Sequence, residues 1–183
     1  KGGNVAIETI GGQPPVGICG TGLVEAAAEL LRNGFLDETG RLDKAYAKEG
    51  FPLAHTEEGE LLVLTQKDIR ELQLAKAAVR AGITILTHKY GIQWEDISHV
   101  FLAGGFGYGM DLKKAARIGL LPGALLNRVE VVGNTALLGA KHYLMDPDAP
   151  KRLAAIRSVS KETALAREPE FQDCYVDAMY FEE

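Results

Sequence analysis

Cysteine is scarce in this sequence: 183 residues hold two, Cys19 and Cys174. No C-x-x-C pair and no run of four exists, so the chain carries no recognisable zinc or iron–sulfur site. Two distant cysteines fit a reducing cytoplasm better than a disulfide framework. Basic charge is also in deficit. Lys and Arg number 20 against 25 Asp and Glu, a net charge of −5. That argues against nucleic acid and against an anionic membrane as partners, since both need a basic face. No apolar run reaches the ~20 residues of a membrane helix. A signal peptide and an initiator Met are both missing, and the chain opens at Lys1 inside what reads as running sequence, as a piece of a longer protein would. What remains is ordinary globular usage, 46% hydrophobic and 25% charged, over a length that suits one domain with at most a small appendage.

Val5 to Ile10 reads as a short strand before a turn at Gly11-Gly12 and Pro14-Pro15. Gly17-Ile18-Cys19-Gly20-Thr21-Gly22 is a glycine-rich loop opening a helix over Leu23 to Arg32, closed by Asn33-Gly34. Residues 35–60 are polar and turn-rich, an excursion with little regular structure. Leu61 to Leu64 is a candidate strand. Thr65 then caps a long helix, with Asp68 three residues on as in a capping box, and the helix stops at Gly91. Its apolar positions are Ile69, Leu72, Val79, Ile83, Leu86 and Tyr90. Lys76 falls inside that stripe, with Gln73 and Arg80 beside it.

Ser98 to Ala103 reads as a buried strand, followed at once by Gly104-Gly105-Phe106-Gly107. Asp111 caps a helix carrying Leu112, Ala115, Ala116 and Ile118. Val129 to Val132 is a further strand. Asn134 caps a helix rich in small residues that ends near Met145. Residues 151–167 read as helical, and Phe171 to Phe181 as a closing strand with weak alternation. Strands alternating with helices place the chain in the α/β class with a largely buried sheet.

Two segments carry chemistry. In 99–107 a strand ends in paired glycines before a helix, at the carboxyl end where open α/β sheets bind ligands, and glycine lets a backbone approach a flat or anionic group. A plain tight turn accounts for the same pattern. Gly105 and Gly107 followed by Met110 break G-x-G-x-x-G, which disfavours a dinucleotide fold. The second segment, 17–22, offers free N–H groups at a positive helix end, although a flexible cap reads the same way, and the absence of Gly-Lys-Ser/Thr excludes a Walker loop. Lys76 within an apolar stripe must snorkel or meet a partner; a nucleotide edge and a salt bridge both serve. Cys19 reads as a reactive thiol at a helix start or as a small buried residue beside the loop. His55, His88, His99 and His142 show no metal-ligand spacing, and no Ser/His/Asp set is apparent.

In order along the chain stand Gly-Ile-Cys-Gly-Thr-Gly-Leu-Val-Glu-Ala (17–26), Leu-Thr-Gln-Lys-Asp-Ile-Arg-Glu-Leu-Gln-Leu-Ala-Lys-Ala-Ala-Val-Arg-Ala-Gly-Ile (64–83), Phe-Leu-Ala-Gly-Gly-Phe-Gly (101–107), Arg-Ile-Gly-Leu-Leu-Pro (117–122), Val-Gly-Asn-Thr-Ala-Leu-Leu-Gly-Ala (132–140), Phe-Gln-Asp (171–173) and Ala-Met-Tyr-Phe (178–181). Together they resemble the C-terminal part of the reductive activators of corrinoid proteins. These are ferredoxin-like iron–sulfur proteins with an ATPase domain of the acetate and sugar kinase, heat-shock chaperone and actin superfamily. The resemblance covers nearly the whole chain. It implies an α/β fold, an actin-like or ribonuclease H-like ATPase half with a mixed sheet and flanking helices. Residues 1–183 would be the C-terminal part of that ATPase domain, with 35–60 a less regular excursion and 151–183 a helical and strand extension.

The resemblance also implies roles. Gly104, Gly105, Phe106 and Gly107 match the adenosine motif. Gln73, Lys76 and Arg80 match the wall of the adenine pocket, and Gly20, Thr21 and Gly22 match a nucleotide-binding loop. Asn134 to Ala140 matches an interdomain connecting helix whose close packing permits hinge motion. The loop at 20–22 is also similar to the Gly-Thr-Gly loop of activators of 2-hydroxyacyl-CoA dehydratases, where a nearby Cys helps hold a cluster between subunits; here no second Cys follows suitably, so cluster binding by Cys19 is not expected. The two Asp-x-Gly-Thr-like hairpins that grip phosphate and Mg are missing, as are the cysteines of a 2Fe–2S cluster. ATP with Mg is therefore expected for a full-length protein, with the cluster and the γ-phosphate grip upstream, and no catalytic acid or base is assignable in this chain. The implied partner is a corrinoid protein of a methyltransferase system whose cobalt has oxidised to Co(II), in the cytoplasm, with a homodimer left open. Two alternatives stand beside this: an acetate- or sugar-type kinase, and a non-catalytic interaction module of the same fold.

Overall fold

The computed structural model describes residues 5–181; the outermost residues of the 1–183 assignment lie outside that range. The chain is mixed α/β. Helix α1 (Gly20–Arg32) leads into a loop and an antiparallel hairpin of β1 (Phe51–His55) and β2 (Leu61–Leu64). Then come the long helix α2 (Gln66–Tyr90), strand β3 (Val100–Ala103), the one-turn helix α3 (Gly105–Tyr108) and α4 (Leu112–Arg117). Strand β4 (Val129–Gly133) pairs in parallel with β3, and α5 (Thr135–Met145), α6 (Ala149–Val159) and α7 (Phe171–Asp177) complete the described residues.

The best-defined boundaries are set by local chemistry. At the start of α2 the Thr65 hydroxyl accepts from the Asp68 N–H, and the Asp68 carboxylate accepts from the Thr65 N–H at 2.8 Å, a complete capping box. Gly91 ends the helix in the left-handed conformation. Asp111 accepts from Lys113 and Lys114 N–H groups at the head of α4, and Asn134 accepts from Leu137 N–H at the head of α5.

The core gathers Val24, Ala27, Ala28 and Leu30 of α1, Leu36, Leu42, Phe51 and Leu64, Ile69 and Leu72 of α2, and Ala115 and Ile118 by α4. Segment 35–60 is therefore more ordered than its composition suggests. It supplies three core residues, a Phe35–Tyr46–Phe51 aromatic cluster and strand β1. Pro52 within β1 hid that strand from sequence; it sits where the register shifts, a place that tolerates a missing N–H.

Other expectations are corrected. Val5 to Thr9 forms no strand and Ile10–Gly12 is a single 3-10 turn; among the described residues no strand lies alongside to complete a ladder. The segment at 171–181 is helical over 171–177, because Phe171, Cys174, Tyr175 and Ala178 recur at spacings of three and four, and Phe171 stacks on Tyr175. In 151–167, helix ends at Val159 and only a 3-10 turn at Leu165–Arg167 follows. The strand at β3 is not buried: Phe101 is 62% exposed. On α2 the inward stripe is Ile69, Leu72, Gln73, Lys76, Ala77, Ala81 and Ile85, while Val79, Leu86 and Tyr90 are exposed.

Candidate functional site

Strands β3 and β4 run in parallel and end side by side. The N–H of Gly104, just past β3, donates to the carbonyl of Gly133 at 2.7 Å. Gly104 holds φ +96°, ψ 167°, a conformation open to glycine alone at little cost. Gly107 is buried, and a Cβ there would lie 2.6 Å from Cγ of Leu102, so packing of turn against strand demands glycine. Neither reason applies to Gly105. Its φ is not positive, a Cβ there would meet nothing within 4 Å, and it is exposed. Gly105 follows β3 at the carboxyl end of the parallel pair, the end at which open α/β sheets bind ligands.

The glycine loop at the head of α1 meets this turn directly. Gly20 starts α1, Cys19 is its cap, and the Phe106 ring lies against Gly20. Seven of the ten residues expected from sequence to form a site thus fall in two abutting turns: Gly20, Thr21 and Gly22 in one, and Gly104, Gly105, Phe106 and the buried Gly107 in the other. The two touch where the Phe106 ring meets Gly20.

Cys19 is exposed, contrary to its reading as a buried residue beside the loop. Its Sγ lies 3.2 Å from the Thr21 hydroxyl and accepts from Gly22 N–H at 3.4 Å. The Thr21 hydrogen bond above all, and then that of Gly22, hold its thiol below the ordinary range. Cys174 is pushed the other way, by burial first and then by the charges of Glu170, Asp177 and Asp173. At near-neutral pH a larger thiolate fraction at Cys19 predicts alkylation by iodoacetamide roughly tenfold faster than at Cys174. Peptide mass spectrometry over a time course reads both rates, and equal rates would mean that the Thr21 contact does not persist in solution.

Gln73 and Lys76 stand elsewhere. Each is 1% exposed. The Lys76 ammonium donates to the carbonyls of Ala178, at 2.7 Å, and Tyr180, and lies 5.0 Å from the centre of the Phe181 ring. The Gln73 amide donates to Thr39 and Met179 carbonyls at 3.1 and 2.8 Å. Gln73 ties Thr39 and Met179 onto α2, and Lys76 ties Ala178 and Tyr180 there. Arg80 stacks over Trp94 at 4.7 Å and lines a shallow groove of about 500 Å³ with Thr84, His88, Cys174 and Asp177. No sequence signal separated these roles, because the partner carbonyls lie 102 and 104 positions from Lys76.

Among the described residues no three His, Cys, Asp or Glu side chains are grouped to hold a metal, and no helix is long and apolar enough to cross a membrane. The family model described as the C-terminal domain of RACo, the ASKHA domain, matches residues 1–183. A corrinoid activation enzyme, RamQ, of Eubacterium limosum is 33% identical over 193 residues, covering 95% of this chain and 32% of that protein. The Co(II) methylated amine-specific corrinoid protein reductase of Methanosarcina barkeri is 30% identical over 131 residues, 72% of this chain and 22% of its own. The solved structure of a reductive activator for a corrinoid, iron–sulfur protein superposes with a TM-score of 0.87 at 34% identity, over 95% of this chain and 30% of that one. The chain thus spans about a third or less of each relative's length.

Proposed function

The chain belongs to the family of the C-terminal ASKHA domain of RACo, and from that premise we propose that it forms the adenosine side of a nucleotide site in an ATP-dependent activator that reduces corrinoid proteins. The observation that carries the reading is Gly105, a glycine with no structural reason of its own at the carboxyl ends of β3 and β4. The residues proposed to contact nucleotide are Gly104 and Gly105, with Phe106 and Gly107 shaping the turn and Gly20, Thr21 and Gly22 beside it. Arg80 belongs to the proposal through its groove. Gln73 and Lys76 support it only by fixing α2.

When bound, ATP with Mg would supply the free energy of hydrolysis that an uphill electron transfer needs. The chain's own residues would hold the adenosine end and keep water from it. The groups for Mg, the γ-phosphate and a 2Fe–2S cluster are proposed to lie in the part of the longer relatives that this chain does not span. A corrinoid protein is the proposed partner, that of a methyltransferase system in the narrower form, in the cytoplasm and with a homodimer as one arrangement. The names of the relatives give a metabolite-kinase reading no support.

Helix α5 supports a longer domain. None of its residues is buried; Leu144 is 83% exposed, and Gly139 in mid-helix has nothing within 4 Å of where its Cβ would be. A mid-helix glycine costs about 1 kcal/mol relative to alanine, and close approach of another element would compensate. Gly139→Leu is expected to stabilise the isolated chain by up to ~1 kcal/mol and to destabilise the longer protein by about 1–3 kcal/mol through overpacking. Thermal unfolding of both reads the sign, and the same sign in both would remove α5 from any interface.

The direct test of the reading is calorimetric titration of the complete protein with ATP and Mg, followed by reduction of a Co(II) corrinoid protein with and without ATP. Nucleotide-independent reduction, or no nucleotide binding, would refute it.

A further inference from the structure

Gly20 has no conformational need to be glycine, since its φ is not positive, and glycine in the first turn of a helix forfeits stability that most residues would add. Its reason lies across the fold. A Cβ on Gly20 would come to 3.0 Å from Cδ2 of Phe106 and closer still to Cε2. Phe106 in turn is 51% exposed, an unfavourable place for a phenyl ring in a turn built otherwise of glycine. Helix α3 has no side-chain cap. On its strand side the turn is fixed by the Gly104–Gly133 hydrogen bond and by Gly107 against Leu102. On the α1 side, Phe106 supplies the contact with Gly20.

We propose that Phe106 is a positioning residue whose ring, seated in the socket left by Gly20, sets the spacing between the 104–107 turn and the head of α1 so that both address one nucleotide. This rests on the nucleotide reading above. Phe106 reaches α1 only because position 20 has no side chain, so the two residues act as a matched pair. An added methyl at Gly20 forces the ring from its seat, and either that or removal of the ring releases the turn from α1.

The test is a double-mutant cycle in the complete protein, with Gly20→Ala, Phe106→Ala and both together, reading affinity for ATP with Mg by calorimetry and the melting midpoint alongside. Gly20→Ala is expected to weaken binding about tenfold, the equivalent of 1.4 kcal/mol, while shifting the midpoint by no more than a few degrees. Phe106→Ala is expected to weaken it comparably, and in that background Gly20→Ala adds nothing. Phe106→Leu, which leaves α1 untouched, carries the same test if Gly20→Ala folds poorly, with a severalfold loss expected. Wild-type affinity in Gly20→Ala or in Phe106→Leu, or fully additive losses, would overturn the socket alone. Absence of nucleotide binding by the unsubstituted protein would overturn the nucleotide reading and the socket with it.

Discussion

Gly105→Asp in the complete protein is expected to lower nucleotide affinity at least about a hundredfold, close to 3 kcal/mol or more, while leaving the melting midpoint nearly unchanged. The fold has room for the new side chain: Gly105 is exposed, its φ is not positive and nothing lies within 4 Å of the Cβ position. The side chain would therefore stand where a ligand approaches the turn, and its carboxylate would add an anion beside a polyanionic ligand. The neighbouring positions give the contrast. Gly104→Ala strains a φ of +96° and Gly107→Ala drives a methyl into Leu102, so both lose stability as well as affinity. Calorimetry with ATP and Mg, paired with thermal unfolding, separates the two classes. Unaltered affinity in Gly105→Asp would show that the turn is punctuation between strand and helix and would favour an interaction module.

The second large effect is on stability. Lys76→Met is expected to destabilise the chain by about 3 kcal/mol, because the carbonyls of Ala178 and Tyr180 lose a charged donor held in a buried position. In a domain of this length that corresponds to a fall of roughly 10 °C in melting midpoint. The aliphatic part of the side chain is replaced by methionine, so the loss reports the ammonium and its acceptors at Ala178 and Tyr180 more than a void. Nucleotide affinity of the complete protein, measured well below its midpoint, should stay within about twofold, a few tenths of a kcal/mol. Loss of affinity at unchanged stability would reverse the assignment and return Lys76 to the wall of an adenine pocket.

What could be read from sequence was what a few adjacent residues decide. Thr65 with Asp68, Gly91, Asp111 and Asn134 set helix ends through hydrogen bonds within a turn, and the structure has those ends. The glycine turns at 20–22 and 104–107 were also visible, since punctuation by glycine is local. Features needing a distant partner were not. Val5 to Ile10 has the apolar content of a strand but no neighbour among the described residues. Phe171 to Phe181 alternates weakly enough to hide a helical spacing. Lys76 and Gln73 stand in the apolar stripe of α2 for a reason supplied by carbonyls at 39 and 178–180. Likewise the meeting of Gly20 with Phe106 has no trace in either motif alone.

The knot that Lys76 and Gln73 tie around α2 also bears on the order in which the fold can close during synthesis. Helix α2 leaves the ribosome about a hundred residues ahead of the carbonyls that accept from Lys76. Until residues 178–181 emerge, the inward face of α2 must keep an ammonium and an amide in water, so that face cannot close. Closure of this face of α2 is therefore coupled to synthesis of a segment about a hundred residues later rather than to its own neighbours in sequence. A chain halted before α7 would leave the Lys76 ammonium without its acceptors at Ala178 and Tyr180.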